Sequence, residues 1–269
     1  MAMKLKIRTV YLMLPLLLGS ITLLPANAQT PAQAPAQADP AAEAARAEER
    51  ARAAEERAEE KKRAEEAARA EEKARNEEKA RQLNKEGAAL LNQRKTAEAA
   101  ESFRKSIQIY PQGAAAHNNL ALVLKELGQI SEAEKEARQA LKLRPDKGDY
   151  HFNLGLILQH QQKWADAEAS FREALKQEPM DPENRYRLAQ VLLQQGKGAD
   201  AETEIKMAIL MKPTEAGYHK LLADSLLQEK KYDAALCEYR STVELNPQGS
   251  DAGDIKNKID YLKQVLNLR

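Results

Sequence analysis

The chain of 269 residues is poor in the residues that build several common kinds of site. Its single cysteine, Cys237, excludes an intramolecular disulfide, so stability has to come from packing. We expect this cysteine to be a small, half-buried packing residue. No CxxC pair, HExxH motif, Gly-rich phosphate loop or G-x-S-x-G turn occurs. The sequence therefore predicts a protein that is not an enzyme and that needs no cofactor and no metal.

Proline is also scarce, but its placement is regular. Five of the 11 prolines are spaced 34 residues apart: Pro111, Pro145, Pro179, Pro213 and Pro247. A fixed period of this length indicates stacked supersecondary units, none of which can bury its apolar face alone. We count the positions of each unit from first residues 80, 114, 148, 182 and 216 and call these numbers offsets, so the prolines stand at offset 32.

Several other offsets recur and predict two helices in each unit. Leucine stands at offset 7 in four units and at offset 11 in all five, and these two positions share one helical face. Offset 8 is always Gly or Ala, and offset 20 is always Ala. A large residue at offset 24, as in Phe103 and Phe171, continues a second apolar stripe. Gly128, Gly196 or Gly198 marks the break between the helices, and the proline ends the second helix.

At these residues the pattern resembles the tetratricopeptide repeat family, over residues 80–249. The unit that matches best has H-x2-L-G-x2-L from His151 to Leu158, A-x3-F at Ala167 and Phe171, and then Pro179. The resemblance implies an all-α fold, an α-solenoid of five helix-turn-helix repeats at 80–113, 114–147, 148–181, 182–215 and 216–249. The family has a large aromatic residue at offset 4. Here Leu83, His117, His151, Arg185 and His219 replace it, so we expect looser inner packing.

Each end of the repeat array has its own character. Residues 250–269 predict a capping helix with a stripe of Ile255, Ile259, Leu262 and Leu266. Residues 1–28 have basic residues, an apolar stretch and Ala26-Asn27-Ala28, which predicts a cleaved signal peptide, with an uncleaved membrane anchor as the alternative. Loss of Lys4, Lys6 and Arg8 would change the net charge from +1 to −2, which argues against nucleic-acid binding.

Two further segments separate the signal from the repeats. Residues 29–40, rich in Pro, Ala and Gln, predict a flexible linker. Residues 41–79 consist almost wholly of Ala, Glu, Arg and Lys, with Glu and Arg four apart, as in Glu77 and Arg81, and this favours a long charged helix. It could be a single solvated helix, or residues 41–81 could form a homo-oligomeric coiled coil through an alanine seam.

The histidines invite a metal interpretation that geometry opposes. His117, His151 and His219 share offset 4, but equivalent positions of neighbouring units lie about 8–10 Å apart. Ligands of one zinc lie about 2 Å from it. We therefore expect these histidines to be packing residues with satisfied hydrogen bonds.

The resemblance also implies a binding site. In this family the first helices line a concave groove, chiefly through offsets 2, 5, 6, 9, 12 and 13, that would have an apolar, aromatic middle flanked by amide and charged groups. Phe152 and Tyr186 could instead pack structurally between repeats. The family's carboxylate clamp is not expected, since Asp149 and Asn153 stand where its bases should be. The residues of this chain that the resemblance assigns to the groove are Asn84, Asn118, Asn119, Leu122, Phe152, Asn153, Leu156, Tyr186, Gln190, Lys220 and Asp224.

The first functional hypothesis is an exported protein–protein interaction scaffold whose groove binds a peptide or helical segment of an envelope partner. Its location would be the periplasm or an equivalent lumen, or outside the cell, with no membrane span once the signal is cleaved. The alternative is a structural spacer of the envelope, in which the charged helix self-associates and the repeats are an assembly contact module. Both hypotheses make the partner a protein or peptide and not a nucleic acid.

Overall fold

The computed structural model describes residues 39–267. These residues contain eleven helices and no strand, and their contacts divide them into one compact part that ends at Lys62 and another that begins at Arg63. The predicted signal peptide and most of the predicted linker lie outside the described residues. The helices are α1 (Pro40–Asn92), α2 (Thr96–Ile109), α3 (Ala114–Glu126), α4 (Ile130–Leu143), α5 (Gly148–His160), α6 (Trp164–Gln177), α7 (Pro182–Gln194), α8 (Gly198–Met211), α9 (Ala216–Gln228), α10 (Tyr232–Leu245) and α11 (Ala252–Val265).

The charged segment is helical, as its composition predicts. In the part that ends at Lys62, every side chain of residues 41–62 is exposed except that of Ala53, which is half-buried. In the part from Arg63 onward, Arg81 pairs with Glu77 at 3.3 Å and with Glu78 at 3.1 Å. The helix does not break at residue 80, where the sequence suggested a boundary. The C-terminal portion of α1 therefore serves as the first helix of the first repeat.

From Arg63 onward the helices keep the 34-residue period. The helices α3, α5, α7 and α9 begin at Ala114, Gly148, Pro182 and Ala216, which are the first positions of their units. The second helices begin at residues 96, 130, 164, 198 and 232, again 34 apart. The prediction of an all-α stack of helix pairs is confirmed.

The recurring offsets form the core. The alanines of offset 20 are fully buried, and so are Phe103 and Phe171 at offset 24. Glycine at offset 8 makes room for these rings, because a β-carbon on Gly155 would lie 2.7 Å from Cε1 of Phe171. The same measurement for Gly87 and Phe103 is 2.6 Å. Where offset 8 is alanine, offset 24 is Ala137, Ile205 or Tyr239, so the two offsets vary together within this one chain.

The turns between the paired helices have one left-handed residue, at offset 15. Gly128 and Gly196 have φ values of 75° and 74° there, as predicted. Arg94, Gln162 and Lys230 adopt the same conformation with φ near 60°, although a side chain disfavours it. Gly198 has a different role from the one expected. It begins α8, where a β-carbon would lie 2.9 Å from Oε1 of Glu229.

Offset 4 carries polar links between repeats. Arg185 donates to Glu204 of its own repeat at 2.7 Å and to the carbonyl of Pro179 in the preceding repeat at 2.8 Å. His219 contacts Glu238 and the carbonyl of Pro213 in the same way, at 2.7 and 2.9 Å. The expectation of looser packing at offset 4 was therefore incomplete, because directional hydrogen bonds replace the aromatic contact.

A second set of links joins the second helices to the turns of the next repeat. Glutamates at offset 21 bind lysines at offset 16 of the following repeat: Glu134 with Lys163 at 2.8 Å, and Glu168 with Lys197 and Glu202 with Lys231 at 2.7 Å. In the fifth repeat the same offset is Leu236, which is buried instead of charged. The ladder ends there, and α11 packs against α10 with Ile255, Ile259 and Leu262 buried.

Candidate functional site

The first helices of the repeats line one side of the stack. Among the helices from α2 to α10, the backbone of α3 comes within 8 Å of α5, that of α5 within 8 Å of α7 and that of α7 within 8 Å of α9. The backbones of adjacent second helices stay farther apart, and Arg104 of α2 reaches Glu132 of α4 only through its side chain, at 3.4 Å. Neighbours are closest on the inside of a curved stack. The first helices therefore form the inner face, and the residues carried over from the family pattern belong to these helices.

Asparagines link the first helices of neighbouring repeats at the N-terminal end of this face. Nδ2 of Asn119 donates to Oδ1 of Asn84 at 3.0 Å, and Nδ2 of Asn153 donates to Oδ1 of Asn118 at 2.9 Å. Asn118 and Asn153 are buried, at 7% and 9% exposure. Side-chain amides that were expected to hydrogen-bond a ligand are thus partly used in hydrogen bonds between the repeats.

Aromatic rings occupy the middle of the face. Phe152 is half-buried and packs edge-on against Phe171, with 5.7 Å between ring centroids. Tyr186 lies against Tyr218 at 5.0 Å between centroids, and the guanidinium of Arg187 lies 5.4 Å from the centroid of the Tyr186 ring. Phe152 is therefore mainly a packing residue, whereas Tyr186 combines packing with an open edge. Leu122 and Leu156 are also half-buried on this face.

A cavity of about 430 Å³ opens beside Tyr186. It brings together four of the residues predicted from the sequence, namely Tyr186, Gln190, Lys220 and Asp224. Nε2 of Gln190 donates to the hydroxyl of Tyr186 at 2.9 Å, which holds the amide against the ring. The cavity is lined by Gln159, Trp164, Tyr186, Gln190, Leu193, Gln194, Gly217, Lys220, Leu221, Asp224 and Asp251.

The charged groups of this cavity are arranged in pairs. Nζ of Lys220 lies 3.9 Å from Oδ2 of Asp224 and 3.5 Å from Oδ2 of Asp251. Asp224 also accepts from Nζ of Lys258 on α11 at 2.6 Å and from the hydroxyl of Tyr239 at 2.5 Å. This carboxylate thus ties the capping helix to the fifth repeat, and Lys220 is the more available charge.

Burial raises the pKa values of the stacked tyrosines Tyr186 and Tyr218 above 10. It raises the pKa of Tyr218 to about 12 and outweighs the opposing charge of Arg187 to raise the pKa of Tyr186. Both hydroxyls remain proton donors near neutral pH. The cavity can therefore offer the phenol of Tyr186, glutamine amides and one lysine beside apolar surface, which suits an extended polypeptide with mixed polar and apolar side chains.

The remaining residues of the prediction lie elsewhere. Asn84 lines a second cavity of about 350 Å³ between the first repeats, together with Arg81, Tyr110, Arg144 and Tyr150. The structure therefore divides the predicted set into a cavity group, an asparagine-linked group and a packing group around Phe152.

Sequence reasoning missed several residues of the main cavity. Gln159, Leu193, Gln194 and Gly217 stand at offsets 12, 12, 13 and 2, which the family pattern already marks as groove positions. Trp164 begins a second helix, and Asp251 precedes the capping helix, so no recurring offset points to either of them.

Two other kinds of site, a metal centre and a membrane span, find no support in the described residues. Within residues 39–267, no group of three or more His, Cys, Asp or Glu side chains is placed to hold a metal ion. His117 and His219 instead use both ring nitrogens to bind protein acceptors. None of the described helices combines the length and the apolar character that a membrane crossing requires. Cys237 is exposed, contrary to the expectation of a half-buried residue.

Comparisons with known proteins agree with this architecture. Models of the tetratricopeptide repeat match residues 84–125, 118–184 and 158–224, which together span more than half of the chain. No curated protein is significantly similar in sequence.

Solved structures match the fold at low sequence identity. PilF of Pseudomonas aeruginosa is 22% identical, with 71% of this chain and 91% of that chain covered and a TM-score of 0.59. MamA of Desulfovibrio magneticus RS-1 is 17% identical, with 64% and 97% covered and a TM-score of 0.60. YrrB, described as having an unusual peptide-binding site, is 17% identical, with 65% and 90% covered and a TM-score of 0.58.

Proposed function

Because the chain belongs to the tetratricopeptide repeat family, whose fold supports a protein–protein interaction scaffold, we propose that its inner face binds a peptide or helical segment of another protein. The proposal includes export, with the partner in the cell envelope, on the basis of the signal-like residues 1–28. The cavity that gathers Tyr186, Gln190 and Lys220 carries the proposal. These side chains combine aromatic anchor area with polar groups that orient a polypeptide.

The cavity allows two kinds of variant that leave the core untouched. Gln190→Ala/Lys220→Ala removes half-buried polar groups at the rim. Gly217→Trp adds bulk, because a β-carbon on Gly217 would lie 3.8 Å from the hydroxyl of Tyr186 and so points into the cavity region. Lys142→Ala, an exposed position on α4, is the matched control.

The test is affinity capture from an envelope extract, followed by calorimetry with the captured partner's binding segment. We expect both cavity variants to lose the partner and Lys142→Ala to retain it. Identical partner lists for all proteins would rule out the cavity as the binding site. If a partner were captured only from a cytoplasmic extract, a partner in the envelope would be ruled out. Calorimetry with the cavity variants would then still show whether that partner binds in the cavity.

A structural role of the charged helix is the second proposal. The side chains of residues 41–62 are nearly all exposed, so the alanine seam of this segment is not covered by any of the described residues. A coiled coil between copies would bury the seam. Light scattering should show self-association that disappears when residues 41–62 are deleted, and a monomer at high concentration would exclude this role.

A further inference from the structure

One second helix has an outer face unlike those of the other repeats. On α8, Leu210 is 76% exposed and Met207 is 38% exposed, and Met211 beside them is half-buried. The three residues are spaced i, i+3 and i+4, so they share one side of the helix. We call Met207, Leu210 and Met211 the α8 face.

The other repeats show what these positions ordinarily contain. Offset 26, occupied here by Met207, is Lys105, Gln139, Glu173 or Ser241 elsewhere. Offset 29, occupied here by Leu210, is Gln108, Lys142, Lys176 or Glu244. The fold therefore does not need an apolar residue at either position. Leu210 is largely exposed and Met207 partly exposed, at two positions that are polar in every other repeat. Adjacent exposed apolar side chains of this kind indicate a contact surface.

The charged residue that remains open beside the α8 face is basic. Between Ile205 and Pro213 the only charged residues are Lys206 and Lys212. In the preceding turns Glu202 binds Lys206 and Lys231, and Glu204 binds Arg185, so Lys206 is itself paired. Lys212 has no ion-pair partner among the described residues, so it is the charge that a partner can meet. An incoming surface with acidic side chains beside its apolar residues would meet a complementary charge.

The size of the face selects the kind of partner. Stable dimers bury about 800 Å² on each subunit, which three side chains on little more than one helical turn cannot supply. A single helix needs only a short apolar stripe, and methionine adapts to the shape of such a partner. We propose that the α8 face docks an amphipathic helix of another protein, with leucine-type residues in its stripe and glutamate or aspartate along the edge. This site lies on the second helices and is separate from the inner-face cavity.

The repeats themselves supply a variant that should fold. Met207→Glu/Leu210→Lys copies the pair that Glu173 and Lys176 make at the same offsets of the third repeat, where they lie 2.6 Å apart. Lys212→Glu reverses the adjacent charge without altering the apolar residues. The groove variant Gln190→Ala/Lys220→Ala serves as the matched control.

The probe is a labelled designed helix of about five turns with leucines at i, i+3, i+4 and i+7 and glutamates alongside, compared with a version in which lysines replace the glutamates. Binding is measured by fluorescence anisotropy on the full chain. We expect the acidic helix to bind wild type and the groove variant equally, and Met207→Glu/Leu210→Lys at least about tenfold more weakly. Lys212→Glu should reduce the preference for the acidic over the lysine version.

Several results would overturn the proposal. Equal binding of the acidic helix to wild type and Met207→Glu/Leu210→Lys would place the contact elsewhere. If the glutamate and lysine versions of the designed helix bound wild type equally, the partner would not be selected by its acidic residues. Self-association of wild type that the double exchange abolishes would make the face a contact between copies. Sedimentation with phosphatidylserine vesicles, without helix binding, would make it a lipid surface.

Discussion

Nδ1 of His117 lies 2.6 Å from Oε2 of Glu136 on the adjacent helix. Nε2 of the same ring lies 3.0 Å from the carbonyl oxygen of Pro111. Both partners are acceptors only, so the imidazole satisfies both contacts when each nitrogen carries a proton. Burial lowers the pKa of His117, but the hydrogen bonds to Glu136 and Pro111 and the charge of Glu136 together raise it above 6.5.

The first prediction is a stability that depends on pH through His117. A raised pKa in the folded state means that the stabilisation is complete below the unfolded value and is lost as the pH rises through the folded value. The free energy of unfolding should therefore fall as the pH rises above about 6.5, the ordinary pKa of histidine. His117→Arg should flatten this part of the profile, because Arg185 shows that a permanent cation fits the same offset.

Urea denaturation at several pH values checks this prediction. His151→Gln is the control, since His151 contacts the carbonyl of Pro145 at 3.0 Å and repeat three has Ser170, not glutamate, at offset 23. An unchanged pH profile for His117→Arg would show that His117 is not the group responsible.

The second prediction concerns the acid side of the stability profile. The hydrogen bond from Lys163, assisted by Arg138, outweighs burial and lowers the pKa of Glu134 to about 2. A lowered pKa gives stabilisation that is present above the unfolded value and lost as the pH falls through the folded one. Glu134→Gln should cost about 1–3 kcal/mol near neutral pH, and the difference should shrink between about pH 4.5 and pH 2.

Thermal unfolding from pH 2 to pH 7 measures this effect. Glu101→Gln, at an exposed position of α2, is the control and should leave the profile unchanged. A difference between wild type and Glu134→Gln that stays constant down to pH 2 would mean that the bridge to Lys163 does not contribute through its charge.

The third prediction uses the left-handed residues at the turns. Gln162 has φ of 58° at the offset where Gly128 has 75°. Gln162→Gly should raise the free energy of unfolding by a few tenths to about 1 kcal/mol, because glycine adopts this conformation without steric cost. Gly128→Gln should lower it by a similar amount, and the two midpoints in urea give the comparison. Equal destabilisation by both changes would show that side-chain contacts of Gln162 matter more than its backbone conformation.

The 34-residue period was sufficient to predict the helix pairs and their core, because buried offsets have to repeat wherever identical neighbours stack. The site was predictable only in part. Asp224 stands at a groove offset, yet Lys258 of the capping helix binds it, and that helix shares no motif with the repeats. Trp164 enters the cavity from a second helix. Such contacts depend on how unlike elements meet, which a period cannot express.

The last prediction tests the pairing of offsets 8 and 24. Gly155→Ala alone forces a β-carbon against the ring of Phe171, and overpacking costs about 1–3 kcal/mol, partly offset by the roughly 1 kcal/mol that alanine gains over glycine in a helix. Phe171→Ile alone leaves a cavity and also destabilises.

The double variant reproduces the combination of Ala189 and Ile205 in the fourth repeat. It should lose less stability than the sum of the two single changes, with a coupling of about 1 kcal/mol. Urea denaturation of the four proteins closes the cycle. Gly253→Ala is the control for helix propensity, because nothing lies within 4 Å of a β-carbon built there. If the effects of the changes at Gly155 and Phe171 were additive, the ring of Phe171 would not be the reason that position 155 is glycine.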